Sequence, residues 1–426
     1  MQQTLTFNRS IMPSTESKMD ISSFDLSLKA FDEKEYVQSF YHLLNYINPT
    51  FKEKYGNAEG TEFYIPHGSI VVSVKIEDNQ LKVAAPFLSL PEKGKIPMLR
   101  QIAVLNFNYL NMIQIKLKAD NKLFFEYACP IDLVEPYKIY DVLEDVCYTG
   151  DRFDDEFMTK FGAQRIYEPK VTQYDDVMVD DVYKTIQETC TEGLEAINYF
   201  EGTRKYGYEW NIISCVIFKV LYYAQPQGQL MNDLNKAIRD LDRDDIPLAD
   251  VVAEGKAIVE RLKAMPKEEL AKELYFTETF IPPKRRSVLK NIQDNFSKEF
   301  DKATNDLESG DYMNCCVRIV YEFYRLYFYN NVQDDVNNVV VRAMEKSSAK
   351  PWEEAAPILH EAMKKIMDGD LTIDDDEEET TENATGFDMA SYMSAFQQNM
   401  QNINIQEFAK NMQNTIMSIF GQNTKK

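Results

Sequence analysis

Glycine is scarce in this chain, 15 of 426 residues, roughly half the ~7% share usual in proteins. Phosphate-cradling loops and glycine-rich barrels depend on glycine's backbone freedom, so the shortage argues against both and for helices joined by compact turns. Histidine is rarer still, with only His42, His67 and His360. His42 falls on an amphipathic stretch, His67 in a loop ahead of an apolar run, and His360 late in a helical stretch. Structural or surface roles are expected for all three, and metal chemistry with nitrogen ligands is not. The motifs GxxxxGK[ST], GxGxxG, GxSxG and HExxH are all missing. No catalytic residue, no cofactor and no metal ligand is therefore expected.

Positive charge is also in short supply. The net charge is −22, and the best basic cluster is Lys284, Arg285 and Arg286. Nucleic-acid binders carry a basic stripe that displaces counterions from phosphate, so nucleic acid is excluded as a partner. Anionic membrane surfaces are disfavoured for the same reason. The longest apolar stretch, around Trp210 to Phe218, is far short of the ~20 residues that span a bilayer. Residues 1–14 hold no apolar run of signal-peptide type. The six cysteines lie in apolar segments without CxxC spacing, and read as reduced core thiols of a cytoplasmic protein.

What is present suffices for two or three domains, with 44% hydrophobic residues, 25 Tyr and 25 Phe. Residues 1–20 read as a polar leader. Residues 21–165 alternate helical and strand patterns. Asp32 and Glu35 have capping-box spacing ahead of Tyr36, Val37, Phe40, Leu43, Leu44 and Ile47. Strands are predicted over Glu62–Pro66, Ser69–Glu77 and Leu81–Leu90, the last two around a turn at Asp78-Asn79-Gln80. A helix carrying Leu99, Ile102 and Leu105 follows Pro97, and then a hairpin turns at Ala119-Asp120-Asn121. A closing helix runs from about Lys138 to Lys160. The order α-β-β-β-α-β-β-α makes an α+β domain, an antiparallel sheet covered by helices.

From 175 to 367 only helical periodicity appears, enough for seven to nine helices. Val182, Lys184, Ile186 and Gln187 recur as Val288, Lys290, Ile292 and Gln293, and Cys215-Val216 is echoed by Cys316-Val317. A duplicated helical hairpin would explain this, with chance recurrence of four positions as the alternative. Residues 368–386 form an acidic linker in which Asp374–Glu379 are six consecutive carboxylates, self-repelling and solvated. The tail, 387–426, is rich in Met, Gln and Asn. Many of its apolar residues, Met389, Tyr392, Met393, Phe396, Met400, Phe408, Met412 and Ile416 among them, can share a helical face. Such a face can dock on its own protein, on a partner or membrane surface, or on a second copy. Lys410, Lys425 and Lys426 are too few for strong membrane attraction.

Carboxylate clusters are the remaining chemical candidates. Asp175-Asp176 and Asp180-Asp181 suit a helix N-terminus. Asp240, Asp242, Asp244 and Asp245 read as a solvated helix end, with a metal-dependent hydrolase as the alternative. Asp368, Asp370, Thr372, Asp376 and Glu379 match EF-hand spacing, but Ile373 stands where the sharp turn needs glycine.

The run LRQIAVLNFNYLNMIQIKLKADNKLFFEYACPIDLVE, Leu99 to Glu135, takes a helix ending in Asn106 and Asn111 through a polar-turn hairpin and Pro130 into a final helix. In this it resembles the bacterial YbjN-like family, whose fold is that of type III secretion chaperones. The resemblance covers about residues 20–165. It implies a peptide- or protein-binding module, often a homodimer, with no catalytic residues. It also implies partner contacts on exposed strand faces, with Val71, Val83 and Phe87 as candidates. The expectation is a non-catalytic, chaperone-like or regulatory adaptor that binds a protein or peptide. A helical-repeat assembly scaffold is a further alternative to the hydrolase.

Overall fold

A computed structural model describes residues 3–11, 19–169 and 171–372. An antiparallel sheet with helices is followed by an all-helical region. Two compact units divide the chain, and their segments interleave. One contains residues 18–172 and 276–283, and the other contains 1–17, 173–275 and, among the described residues, 284–372.

The α+β unit opens with α1 (Ile21–Asp32) and α2 (Tyr36–Ile47). The expected capping box does not form. Asp32 is instead the last residue of α1, and Glu35 precedes α2 without a side-chain capping bond. The N-cap of α1 is Asp20, whose carboxylate accepts from the Ser22 N–H at 3.1 Å. Sequence periodicity missed α1 because its buried face is Ser23, Ser27 and Ala30. Those small side chains let α2 approach closely, and Ser27 and Ser39 donate to each other's carbonyls at 2.7 and 2.8 Å.

After the short α3 (Phe51–Tyr55) come β1 (Glu62–His67), β2 (Ile70–Glu77) and β3 (Gln80–Ser89). Then follow α4 (Lys95–Asn108), β4 (Gln114–Leu117), β5 (Lys122–Pro130) and α5 (Pro136–Phe161). The sheet order is β1-β2-β3-β5-β4, antiparallel throughout, so β4 is an edge strand. Both hairpins turn where expected. Asp78 and Asn79 take φ of 52° and 57°, and Asp120 and Asn121 both take 59°, the left-handed conformation that Asn and Asp tolerate best. Alternate residues Ile70, Val72 and Val74 of β2 face Leu43, Leu44, Val142 and Val146 in one core. Pro136 sits in the first turn of α5, and Gly162 ends it at φ 72°.

The helical unit contains α6 (Asp176–Gly202), α7 (Tyr206–Ala224), α8 (Gly228–Leu241), α9 (Leu248–Ala264) and the short α10 (Lys267–Leu270). These are followed by α11 (Leu289–Glu308), α12 (Tyr312–Tyr329), α13 (Asp334–Ser347) and α14 (Trp352–Asp368). Helices α6 and α7 form a hairpin closed by α9; α11 and α12 form a second closed by α14; α7 packs on α12. Ile186, Cys190 and Ile197 are buried at the same offset from Ile292, Phe296 and Ala303 as separates Val182 from Val288. Tyr206 and Tyr312 open the second helix of each hairpin at that offset too. The Cys-Val pairs are out of this register by more than a turn. Among the described residues no helix is long and apolar enough to cross a membrane.

Candidate protein-binding surface

Helix α4 is apolar on two sides. One side, Met98, Ile102 and Leu105, enters the core. The other carries Ile96 (65% exposed), Val104 (41%) and Phe107 (89%), with Ala103 and Arg100 along the same stripe. A phenylalanine this open has gained nothing from folding, and grouped apolar residues of this kind mark an interaction surface. The adjoining edge strand adds Leu117, 51% exposed.

That edge is partly closed by α4 itself. The Asn106 side-chain amide donates to the Ile115 carbonyl at 2.9 Å, and its oxygen accepts from the Ile115 N–H at 2.7 Å. Asn106 thus substitutes for a neighbouring strand at the one residue it reaches, and limits strand addition there. Lys93 and Lys95 flank the stripe and, like Arg100 within it, enter no ion pair among the described residues, while Lys116 and Lys118 share Glu126.

The same unit already holds one extended segment of chain. Residues 276–283 bury Phe280 and Ile281 in its core, Phe280 edge-on to Phe51 with centroids 5.7 Å apart. The Gly68 N–H donates to the Glu278 carbonyl at 2.9 Å, and Lys54 pairs with the Glu278 carboxylate at 2.7 Å. The Tyr148 hydroxyl donates to the Pro283 carbonyl at 3.0 Å. His67 ends β1 rather than sitting in a loop, and is fully buried. Its Nδ1 accepts from the Phe280 N–H at 3.1 Å and the Ile281 N–H at 3.4 Å, so the ring is neutral with its proton on Nε2. Burial lowers the His67 pKa, and Asp151 pulls weakly the other way.

Asp151 accepts from the Ser69 N–H at 2.7 Å, and Arg165 bonds Asp154 at 2.7 Å and also Asp155. Burial, with Asp155 alongside, raises the Asp154 carboxyl to about 7. This buried charge group holds Gln164–Arg165 against β3, and no motif announced it.

In the helical unit the segment expected to be a polar leader is instead a docked arm, with Thr4, Phe7 and Ile11 buried. Both Glu192 carboxylate oxygens accept from the Thr6 N–H at 3.0 Å, and the Lys219 ammonium donates to the Thr6 carbonyl at 2.7 Å. Burial lowers the Lys219 pKa to about 8 against the pull of Glu192 and Glu188. Beneath the arm about 10 Å³ remains, room for about one water.

The expected sheet contacts are not on an open face. Val71, Val83 and Phe87 are 0%, 1% and 2% exposed. Val83 and Phe87 point into the core, and Val71 alternates away from Ile70 and Val72 yet is also covered. The tail candidates Met389, Tyr392, Met393, Phe396, Met400, Phe408, Met412 and Ile416 lie outside the described residues. So do Asp376 and Glu379 of the calcium-like run. Asp240 pairs with Lys236, and Asp245 pairs with Arg243 at 2.9 Å around the exposed end of α8. Asp242, Asp244 and Asp245 are exposed and Asp240 is half-buried. His360 stacks on Phe300 and bonds Thr304 at 2.8 Å. The open α4 stripe was overlooked because Phe107 and Leu105 look alike in sequence, and only packing tells them apart.

No family model matches the chain, and no curated protein matches it either.

Proposed function

We propose that this chain is a non-catalytic, chaperone-like adaptor that binds a protein or peptide partner through α4 and the β4 edge. The observation that carries this reading is the second apolar stripe of α4, with Phe107 89% exposed. Chaperone-like modules of the YbjN-like type, which residues 20–165 resemble, offer such leftover apolar faces rather than reactive groups. The hold on residues 276–283 adds support, since main-chain hydrogen bonds joined to two buried side chains are how extended segments are recognised. Six buried free thiols fit a reducing compartment such as the cytoplasm.

The test uses the full chain and Phe107→Asp as baits in the native cell. Because Phe107 is so exposed, the substitution should change stability by no more than about 0.5 kcal/mol. At least one interactor is expected to be lost with Phe107→Asp and to bind the purified wild-type chain. An interactor set unchanged by Phe107→Asp and by Val104→Asp overturns the reading.

A further inference from the structure

We propose that the seat of residues 3–11 in the helical unit is an exchangeable peptide-binding groove. The arm is its resident ligand. It is displaced by an extended segment of a partner protein that carries an aromatic residue followed two positions later by arginine. This site is additional to the α4 stripe and stands without it.

The arm is held as a bound peptide is held. Residues 3–11 form no helix, and an isolated bridge from Gln3 to Pro351 is the strand-like pairing they make among the described residues. Their main-chain groups turn outward to the helical unit instead. The Thr4 N–H donates to the Lys350 carbonyl at 2.9 Å, the Phe7 N–H to the Ser348 hydroxyl at 3.0 Å and the Ile11 N–H to the Tyr223 carbonyl at 3.0 Å. Glu192 and Lys219 take the N–H and the carbonyl of Thr6. Such contacts read backbone, so another extended segment can make them equally well. Releasing the arm breaks no helix and no sheet ladder.

Lys219 is the second observation. It lies within α7, is 3% exposed, and spends its ammonium on the Thr6 carbonyl at 2.7 Å. Burying a charge to meet one carbonyl is costly, and an apolar residue would serve a helix core better. The lysine is accounted for by the carbonyl of an occupant.

Two arm side chains set the specificity. Phe7 is buried against Tyr222 and Tyr324, with ring centroids 5.9 and 6.4 Å away. Arg9 lays its fork on the Glu345 carboxylate, with Nη2 2.7 Å from Oε2, a geometry that favours arginine over lysine. The gap of about 10 Å³ beneath the arm shows that the resident residues do not fill the seat.

Fluorescence polarisation of a labelled peptide of residues 1–11 provides the test, with the full chain and the full chain carrying Phe7→Asp/Arg9→Glu as receptors. A tethered arm faces its seat at about millimolar effective concentration. For a peptide Kd of about 10 µM, the double variant should therefore bind about 100-fold more tightly than wild type. Bound peptide should also raise the melting temperature of the variant. A peptide that keeps Phe7 and Arg9 with alanine elsewhere should bind within about ten-fold of the native peptide, because the backbone supplies the rest. Glu345→Arg in the full chain probes the same site from its rim and leaves the core intact. A peptide carrying Arg9→Glu should bind that chain about five-fold more tightly than it binds wild type. Equal peptide affinity in wild type and the double variant overturns the proposal, as does binding detected neither there nor with Glu345→Arg. An alanine peptide that fails where the native peptide binds also overturns it, because the groove then reads its own arm alone. Arms exchanged between copies, with a doubled mass by light scattering, assign the seat to a second copy and overturn the partner reading.

Discussion

Replacing His67 by leucine strikes the point where the α+β unit holds residues 276–283. The imidazole Nδ1 is the acceptor for two buried N–H groups, Phe280 at 3.1 Å and Ile281 at 3.4 Å. Leucine fills similar space but accepts nothing. A buried donor left unpaired costs about 1–3 kcal/mol, and the longer second bond adds little. Local opening of the segment should therefore become easier by about 2 kcal/mol, roughly a 30-fold faster hydrogen exchange at these two amides. His67→Gln, which keeps an acceptor, should lose much less.

Acid provides the same perturbation without a mutation. The folded pKa of His67 is lowered by burial, whereas an unfolded histidine titrates near about 6.5. The stability that depends on the neutral ring is complete above that value and falls as pH drops below it, with a slope of at most ~1.4 kcal/mol per pH unit. Asp154 and Asp155 have raised pKa values and act oppositely, gaining stability as pH falls. The difference between wild type and His67→Gln cancels their effect. Exchange at Phe280 and Ile281 that is equally slow in wild type and His67→Leu refutes the assignment.

Other perturbations test other contacts. Asn106→Ala removes both bonds to Ile115, and should cost about 1–2 kcal/mol in urea unfolding. It should also make association concentration-dependent, because the β4 edge is opened. Phe7→Ala removes the buried anchor of the arm against Tyr222 and Tyr324. A loss of ~3 kcal/mol is expected, read by tryptophan fluorescence because both tryptophans, Trp210 and Trp352, lie in the helical unit. Gly68→Ala places a Cβ 1.9 Å from Asp151 Oδ1 at a φ of +52°. Left-handed strain and the displaced carboxylate together should cost about 2–4 kcal/mol in thermal melting, and unchanged melting would contradict this geometry.

Local patterns were enough for much of the fold. Apolar runs at Ile70–Glu77 and Leu123–Cys129, each joined to its neighbour by an Asp-Asn turn, specified the hairpins because residues tolerant of positive φ fit between the strands. Pro136 and Gly162 bounded α5 for equally local reasons. Helix α1 was illegible because serine and alanine give no apolar signal, although they are what its close packing on α2 requires. The candidate site was mostly illegible. Val83 and Phe87 were nominated and are core, while Phe107 went unnamed and is open.

The sequence by itself determined most of the stretches that become helix, strand or turn, α1 excepted, since those choices depend on neighbours a few residues away and on φ preferences each residue carries. Tertiary structure alone decided where the irregular segments go and which apolar residues stay exposed. Residues 3–11 and 276–283 have no period to read, and their fate depends on Glu192, Lys219, His67 and Lys54, partners roughly two hundred residues distant. Phe107 remains exposed for the same reason: burial is settled by what the rest of the chain brings against a face, not by the residue that occupies it.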